Sequence, residues 1–431
     1  MKKRYAQVGM GGRSRMFAQA VTEKYSDRCE MIGLCDTNPG RLEYARSRMP
    51  EAYAALPLYA ADDFDRMIAE QKPDCVIVTT PDCFHDVYIV RAMELGCDAI
   101  TEKPMTIDAP RCRRIVETVR RTGRDVRVTF NYRYAPPRMQ VKELLMQDVI
   151  GRVLSVELQW LLDTRHGADY YRRWHRRKEN SGGLMVHKAT HHFDLVNWCI
   201  GSAPQEVFAM GKRDFYRPET AERYGLHGRA GRCHDCPVSD KCRFFLDLEG
   251  KEPLRKLYLD HESHDGYYRD RCVFSDEIDI EDTMNLTVRY RSGATMSYAL
   301  NAFMPWEGYI VAFNGTKGRL EHRTQERVYI SGDGSTPGET DRGATSIRVF
   351  PHFRKPYDVE VNAVKGGHGG GDARLMEDVF GPPGADDPLK RAAGWADGAY
   401  SMLTGAAANI SMAENRPVRI EELVEGLLEP R

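Results

Sequence analysis

The sequence predicts an α/β protein of two domains: an N-terminal doubly wound parallel sheet and a C-terminal α+β domain with a large mixed or antiparallel sheet. Three observations support this prediction. The 431 residues exceed what one hydrophobic core usually serves. Short apolar runs alternate with helical segments up to residue 130, whereas longer strands of alternating polarity follow residue 151. The content of 42% hydrophobic and 29% charged residues is ordinary for a globular chain.

The first domain, residues 1–130, is predicted from strands that are followed by helices. The strands are expected at residues 5–8, 30–35, 74–80, 99–101 and 126–130, and the helices at 14–25, 86–95 and 108–122. Asp108 is suited to be the N-cap of the third helix, with Pro110 in its first turn. Parallel strands joined by such crossovers predict a Rossmann-type sheet.

The second domain, residues 131–431, is predicted from strands of period 2. They are expected at residues 153–162, 282–291, 294–302, 309–313 and 319–321, with helices at 183–200 and, rich in alanine, at 392–415. Residues 212–275 are irregular, charged and cysteine-containing, and are interpreted as an insertion. The alternation favours a sheet with one exposed face.

Charge and composition exclude several classes of protein. Lys plus Arg number 62 against 63 Asp plus Glu, a net charge of −1, so no global field would attract nucleic acid or an anionic membrane. No apolar run reaches the roughly 18 residues of a membrane helix. The basic start is not followed by a secretory apolar region, and the 11 cysteines without an export signal indicate reduced thiols. A cytoplasmic protein is expected.

A glycine cluster lies between the first strand and the first helix, where a dinucleotide fingerprint must lie. Glycines there allow a tight turn and a close approach of backbone N–H groups to a diphosphate at the helix N-terminus. Ser14 stands where a third glycine is often found, and an ordinary strand-to-helix turn is the alternative. The candidate residues are Gly9, Gly11, Gly12, Arg13 and Ser14.

Asp36 strengthens the dinucleotide interpretation. It ends the second strand, 25 residues after Gly11, where a carboxylate accepts hydrogen bonds from an adenosine ribose. Because that carboxylate would repel a 2′-phosphate, NAD is favoured over NADP. Arg13 and Arg41 are nearby cations that weaken the preference, and a solvated turn residue is the alternative interpretation of Asp36.

Three further sequence stretches indicate which protein family this chain resembles. They are Thr79-Thr80-Pro81-Asp82 with His85, Thr101-Glu102-Lys103-Pro104, and the helical segment 182–194. Together with the glycine cluster they resemble the Gfo/Idh/MocA family of glucose-fructose oxidoreductases, inositol dehydrogenases and rhizopine catabolism proteins. The resemblance implies a nicotinamide dinucleotide bound by the first domain, with Thr80, Pro81, His85, Glu102 and Lys103 among its contacts, and a sugar or cyclitol against the second sheet.

The resemblance also implies the catalytic residues. Lys103 would lie beside the substrate hydroxyl, and a surface lysine is the alternative. The family commonly has an Asp followed, after three residues, by a His. This chain has His187 in place of the Asp and His191 at the position of the His. On one helix this spacing would place both imidazoles on one face. A zinc protease is disfavoured because Lys188 replaces the required glutamate, and His192 is interpreted as structural.

Removal of a hydride from a secondary carbinol requires a base for the hydroxyl proton. Lys103 and His191 are the candidates. We assign His191 as principal acid/base and Lys103 to orienting the hydroxyl and sharing the proton, with His187 beside them.

Donors and aromatic rings mark the expected substrate side. Segment 165–175 mixes both and suits a glycoside, including an anionic one, although local packing is the alternative. The candidate substrate-binding residues are Asn131, Arg133, His166, Tyr170, His187, Lys188 and His368.

The predicted function is NAD-dependent oxidation of a secondary hydroxyl of a sugar, glycoside or cyclitol. The glycine-rich segment 366–372 is similar to one in NAD-dependent glycoside hydrolases related to the family, which oxidise a sugar transiently, eliminate the aglycone, hydrate and reduce again. That activity is the alternative. A dinucleotide sensor without chemistry is a third interpretation, and a homo-oligomer is implied by the resemblance.

Four cysteines in the predicted insertion have a metal-like spacing. Cys233, Cys236, Cys242 and Cys272 predict a structural zinc site, with an iron–sulfur cluster less favoured. Four unrelated reduced thiols are the alternative.

Overall fold

The computed structural model describes residues 1–328, 344–362, 367–382, 384 and 386–424, and its N-terminal part is built on a six-stranded parallel sheet. The strands are β1 (Lys3–Val8), β2 (Cys29–Asp36), β3 (Leu58–Ala60), β4 (Cys75–Val78), β5 (Asp98–Thr101) and β6 (Val126–Val128). Their order, β3-β2-β1-β4-β5-β6, is that of a doubly wound dinucleotide-binding sheet. The predicted fold class is confirmed.

Helices cover both faces of this sheet. They are α1 (Ser14–Gln19), continued by a π-helical turn (Ala20–Lys24), α2 (Pro39–Ser47), α3 (Phe64–Gln71), α4 (His85–Glu94) and α5 (Ala109–Thr122). Asp108 caps α5 as predicted, because its side chain accepts a hydrogen bond from the Arg111 N–H at 2.9 Å. The sequence reasoning missed α2, α3 and the three-residue β3.

A nine-stranded mixed sheet forms the core of the C-terminal part. Its strands are β7 (Val153–Asp163), β8 (Pro204–Lys212), β9 (Thr283–Tyr290), β10 (Thr295–Met304), β11 (Trp306–Gly315), β12 (Gly318–Val328), β13 (Thr345–Pro351), β14 (Tyr357–Val359) and β15 (Val418–Arg419). The order is β14-β13-β12-β11-β7-β10-β9-β8-β15. Only the β7–β10 pair among the described pairings of this sheet is parallel. The alternating burial along β9 and β10 agrees with the predicted half-exposed sheet.

The C-terminal part of the chain also contains helices. They are α6 (Pro136–Met146), α7 (Thr164–Arg172), α8 (Lys178–Ser181), α9 (Gly183–His187), α10 (Thr190–Ile200), α11 (Pro218–Arg223), α12 (Glu252–Leu257), α13 (Glu262–Asp265), α14 (Gly371–Phe380), α15 (Trp395–Glu414) and α16 (Ile420–Leu423). The late alanine-rich helix is α15, and it is buried because its small side chains permit close packing. A Cβ on Gly405 would lie 2.2 Å from the Met185 carbonyl oxygen. None of the described helices is long and apolar enough to cross a membrane.

The predicted single helix 183–200 is wrong in one respect, since the chain forms two helices, α9 and α10. The N–H groups of Lys188 and Ala189 both bond to the Leu184 carbonyl, which interrupts the regular pattern. His187 therefore ends one helix and His191 lies in the first turn of the next. Their convergence depends on this turn and not on a shared helical face.

The predicted insertion folds back onto the N-terminal part. Within it, α12, a short turn (Leu259–His261) and α13 lie next to α2. The Asn38 side-chain amide donates to the His261 carbonyl at 2.9 Å. The insertion thus reaches the edge of the first sheet at which β1 and β2 end.

Candidate active site

A cavity of about 490 Å³ lies between the two parts of the molecule. One end is lined by the glycine turn and Asp36, and the other by Lys103, His187 and His191. In open α/β sheets this crevice outside the carboxyl ends of the strands is where ligands bind. The three predicted catalytic residues and the predicted dinucleotide turn therefore share one cavity.

The glycine turn is shaped by backbone that approaches too closely for side chains. Gly9 has a φ of +88°, and a Cβ there would lie 2.5 Å from the Thr80 backbone nitrogen. A Cβ on Gly11 would meet nothing within 4 Å, so open space faces that residue. The Ser14 hydroxyl donates to the Gly11 carbonyl at 2.7 Å. Serine at the third position thus closes the turn without filling the crevice.

Asp36 is held rigidly at the end of β2. One carboxylate oxygen accepts from the Met10 N–H at 2.5 Å and the other from the Asn38 N–H at 2.8 Å. The side chain is buried and lines the cavity. This is the place from which a carboxylate can bind a ribose diol.

Several insertion residues line the same end of the cavity. The Gly12 N–H donates to the Tyr258 hydroxyl at 3.2 Å, and Asp265 forms an ion pair with Arg41 at 2.6 Å. Tyr267 lines the cavity beside them. The sequence reasoning missed these residues because an irregular, polar segment carries no periodic signal for where it packs.

A chain of hydrogen bonds runs through the other end. The Lys103 amine contacts His187 Nε2 at 3.3 Å and donates to the His187 carbonyl at 3.0 Å, and His187 Nδ1 lies 2.5 Å from Asp82 Oδ2. Because an ammonium can only donate, Nε2 is the acceptor and Nδ1 carries the proton that it donates to Asp82. Asp82 belongs to the motif Thr79-Thr80-Pro81-Asp82, but the sequence analysis gave it no role. Its position between β4 and α4, at the carboxyl end of a parallel strand, is the signal that could have identified it as a site residue.

Burial controls the ionisation of these groups. Desolvation lowers the pKa of Lys103 to about 8, although the Asp82 and Glu102 carboxylates oppose that effect. Desolvation and the Lys103 charge hold the pKa of His187 well below its ordinary value, and burial raises the pKa of Asp82. A neutral His187 beside an easily deprotonated Lys103 is the arrangement expected of a proton-handling site.

His191 lines the cavity against an aromatic wall. Its ring stacks on Tyr132 with 4.1 Å between centroids and meets Phe130 edge-on. His192, interpreted as structural from sequence, is fully buried: its ring stacks on Trp160 and Nδ1 lies 2.6 Å from the Tyr298 hydroxyl. His192 is not among the residues that line the cavity.

The other expected cofactor residues hold the loops around the cavity. The His85 ring lies between the Pro104 and Thr80 carbonyls at 2.8 and 3.0 Å. Burial lowers the pKa of His85. Pro81 follows Thr80 in the cavity wall, and the Lys103–Pro104 peptide bond is cis.

Arg13 links the glycine turn to both domains. Its guanidinium pairs with Glu102 at 2.6 Å and with Asp372 at 3.1 Å. Asp372 also accepts from the Asn131 amide at 2.7 Å. Asp372, the last residue of the glycine-rich segment 366–372, thus connects Arg13 with Asn131 at the cavity wall.

The predicted substrate side is polar and aromatic. His166 Nδ1 lies 2.7 Å from buried Glu307, and Nε2 lies 2.9 Å from the Tyr170 hydroxyl. The Lys188 amine donates to the Tyr132 hydroxyl at 3.0 Å. His166, Tyr170 and Lys188 all line the cavity. Arg173, Trp174 and His175, which belong to the predicted segment 165–175, line it as well. Asn180 also lines it and was not predicted.

One predicted substrate residue, Arg133, does not line this cavity. Arg133 pairs with Asp194 at 2.5 Å and with Asp397 at 3.2 Å, is buried, and lines a different cavity beside Lys142. A guanidinium committed to two buried carboxylates is a structural ion pair, so the structure corrects the role expected for Arg133. The side chain of His368 lies outside the described residues.

The four cysteines of the insertion come together but do not form a metal site. Cys233, Cys236, Cys242 and Cys272 line one small apolar cavity with Phe244. All are free thiols. Across the described ranges, no three His, Cys, Asp or Glu side chains are arranged to hold a metal ion. The expected zinc or iron–sulfur site is therefore not supported, and the thiols pack with aromatic side chains in the core of the insertion.

The fold and the cavity define a two-domain, NAD-binding oxidoreductase. Family models agree with that class: "Oxidoreductase family, NAD-binding Rossmann fold" matches residues 3–130, and "Oxidoreductase family, C-terminal alpha/beta domain" matches residues 142–420. The chain belongs to the Gfo/Idh/MocA family, as its motifs predicted.

Relatives support the same assignment. The chain is 39% identical over 424 residues to the "Putative oxidoreductase YteT" of Bacillus subtilis, covering 95% of this chain and 96% of that protein. It is 26% identical over 199 residues to the "D-glucoside 3-dehydrogenase" of Escherichia coli, covering 46% of this chain and 54% of that one. The fold is similar to that of the WlbA dehydrogenase from Bordetella pertussis in complex with NADH and UDP-GlcNAcA: the TM-score is 0.63 at 18% identity, covering 97% of this chain and 99% of the other.

Proposed function

We propose that the protein oxidises a secondary hydroxyl of a sugar, glycoside or cyclitol by transferring a hydride to NAD. The single observation that carries the proposal is the shared cavity, which Lys103, His187 and His191 line together with the glycine turn. The naming of one relative as a D-glucoside 3-dehydrogenase supports a sugar substrate.

The residues present fit NAD. Gly11 leaves open space for a diphosphate, and the fixed carboxylate of Asp36 suits a ribose diol. When bound, the nicotinamide accepts the hydride. This protein's own residues must then bind the substrate hydroxyl, remove its proton and keep the alkoxide-like oxygen stabilised.

Lys103 and His191 divide this task. The Lys103 ammonium donates a hydrogen bond to the hydroxyl oxygen and stabilises the negative charge that develops there. His191 accepts the hydroxyl proton as the hydride leaves, since a neutral imidazole is a base near neutral pH. His187 and Asp82 fix the Lys103 amine from behind through the 3.3 Å contact at Nε2 and the 2.5 Å contact at Nδ1.

An anionic group on the substrate would suit Arg173. Asp169 pairs with Arg269 at 2.7 Å, with Arg173 at 3.5 Å and with Arg172 at 3.7 Å. Three cations on one carboxylate leave excess positive charge beside the cavity, and the guanidinium fork of Arg173 matches a carboxylate. We therefore include uronic acid glycosides among the candidate substrates.

A redox-assisted glycoside hydrolase is the second candidate, and the contacts of His166 favour it. Elimination of an aglycone after oxidation needs a second base near the neighbouring carbon. His166, between buried Glu307 and the Tyr170 hydroxyl, is such a group in the same cavity. Hydride transfer from the sugar to NAD, with Lys103 and His191 handling the hydroxyl proton, would be the first step of either activity.

One experiment tests both candidates. The purified protein is incubated with NAD and a panel of free sugars, cyclitols, and methyl and nitrophenyl glycosides of neutral hexoses and uronic acids, and NADH absorbance and aglycone release are measured together. A dehydrogenase accumulates NADH in proportion to ketone product. A redox-assisted hydrolase releases aglycone with no net NADH. If NAD binds and neither signal appears with any sugar, glycoside or cyclitol, the proposed function is wrong.

A further inference from the structure

The insertion places a carboxylate at the adenosine end of the cavity. Asp265, the last residue of α13, has Oδ2 2.6 Å from Arg41 Nη2. The other terminal nitrogen of the same guanidinium, Arg41 Nη1, lies 4.0 Å from Asp36 Oδ1. Arg41 is only 9% exposed. One buried arginine is therefore held between two carboxylates that come from different parts of the chain.

Arg41 is the cation of α2 that faces the predicted ribose site. An arginine in this region accommodates the 2′-phosphate of NADP, whereas a carboxylate at the end of β2 favours the free ribose diol of NAD. With Asp36 alone, Arg41 would be available to pair with a 2′-phosphate and would oppose the preference for NAD. Asp265 removes that availability, because a phosphate would have to displace a buried ion pair and face two carboxylates.

The other cation near the turn is also engaged. Arg13 pairs with Glu102 and Asp372. Each arginine that could compensate a 2′-phosphate therefore has carboxylate partners, and the environment of the ribose site favours NAD electrostatically.

Asp265 is held in place by contacts around it. The Asn38 amide donates to the His261 carbonyl, and the Tyr258 hydroxyl accepts from the Gly12 N–H. The Tyr258 and Tyr267 rings lie 5.9 and 5.6 Å from the Arg41 guanidinium. Because these contacts fix α13 against the first domain, the carboxylate of Asp265 is preorganised and not a chance surface partner.

We propose that Asp265 is a specificity-determining residue for the cofactor. It acts through Arg41, which it withdraws from a 2′-phosphate, so that the insertion enforces the choice of NAD over NADP. The inference rests on the NAD binding of the proposed function and adds to it a residue outside the dinucleotide fingerprint.

The test measures equilibrium binding of NAD and NADP separately, by calorimetry, to the full-length protein. Asp265→Asn keeps the shape of the side chain and removes its charge. We expect the ratio of the Kd for NADP to the Kd for NAD to fall by about tenfold, mainly because NADP binds more tightly. The gain should disappear in Asp265→Asn combined with Arg41→Ala. Asp260→Asn, which changes a partly exposed carboxylate elsewhere in the insertion, is the matched control and should leave the ratio unchanged.

The other possible outcomes distinguish a failure of the role proposed for Asp265 from a failure of the proposed function. Equal weakening of NAD and NADP by Asp265→Asn would mean that Asp265 only docks the insertion, and the inference would be wrong. Kd values for NAD and NADP that both stay at wild-type level would overturn it as well. In both cases NAD still binds the wild-type protein and the proposed function stands. Failure of the wild-type protein to bind either dinucleotide would overturn the proposed function and this inference together.

Discussion

The two ends of the cavity are built in different ways. At the catalytic end, Lys103, His187 and His191 follow short motifs at the end of a strand and around a helical turn. At the adenosine end, Asp36 and the glycine turn meet Tyr258 and Asp265, which come from an insertion more than 200 residues later in the chain. A local motif can reveal the first arrangement, whereas the second depends on long-range docking that no local pattern encodes.

The two ends also differ in charge. The catalytic end holds the half-buried amine of Lys103 and the buried amine of Lys188. Desolvation lowers the pKa of Lys103 and also that of His187. The adenosine end holds the paired carboxylates of Asp36 and Asp265 around one arginine. In the proposed function, proton transfer takes place at one end and cofactor recognition at the other, so substitutions at each end should change different measurements.

The largest effect is expected from substitution at the catalytic end. Lys103→Ala and His191→Ala should each slow hydride transfer by about 10²- to 10⁴-fold, the usual contribution of general acid–base catalysis. The Kd for NAD should stay within about threefold of wild type, because neither side chain is needed at the adenosine end. Single-turnover NADH formation with the best sugar of the panel and calorimetry of NAD binding check the two values.

Lys212→Ala, which removes an exposed lysine of β8, is the control and should change neither value. Wild-type turnover in both cavity variants would contradict the assigned roles. A loss of NAD binding equal to the loss of rate would show that the two ends are not separate.

The next effect concerns the docking of the insertion. Gly40 is the second residue of α2, and a Cβ there would lie 2.1 Å from His261 Nδ1. Gly40→Ala should lower the free energy of unfolding by about 1–3 kcal/mol through overpacking, although alanine in a helix is by itself about 0.5–1 kcal/mol better than glycine. Urea denaturation checks the sign.

The double variant separates the two contributions. Gly40→Ala in a His261→Ala background should be more stable than His261→Ala alone, since the clash is gone and the helix benefit remains. If Gly40→Ala stabilises the protein with His261 present, the insertion does not pack on α2 as the structure has it.

Much of the fold could be predicted from the sequence because its signals are local. The apolar run of β4, the cap Asp108 and the glycine turn each depend on neighbours within a few residues. The short β3 and strand β8 were missed, since three residues carry no readable period and β8 has mixed polarity. The prediction of a single helix 183–200 was wrong because the N–H groups of Lys188 and Ala189 both bond to the Leu184 carbonyl. The spacing of residue types in the sequence does not predict such an interruption.

The residues of the candidate site were also predicted well only where the signal is local. Lys103 and His191 lie in motifs that resemble the family, whereas Arg133 lies in a similar motif-like run and is committed to Asp194 and Asp397. The type of a residue suggests a donor, but its partners are fixed by tertiary packing. The cysteine spacing likewise suggested a metal from residue type alone. The structure places the four thiols around a small apolar cavity instead.

The smallest of the three effects sharpens the catalytic end itself and concerns pH. In the proposed mechanism the Lys103 ammonium is the active form, so the oxidation rate should fall as the pH rises through its pKa of about 8. The Asp82 carboxylate raises that pKa, and Asp82→Asn keeps an acceptor for His187 Nδ1 while removing the charge. The ammonium then loses its proton more easily, and the high-pH limb of the rate profile should move to lower pH by about one pH unit. A profile of single-turnover NADH formation against pH checks the direction. Movement of the limb to higher pH, or an unmoved limb with a uniformly lower rate, would mean that Asp82 only positions His187 and does not set the ionisation of Lys103.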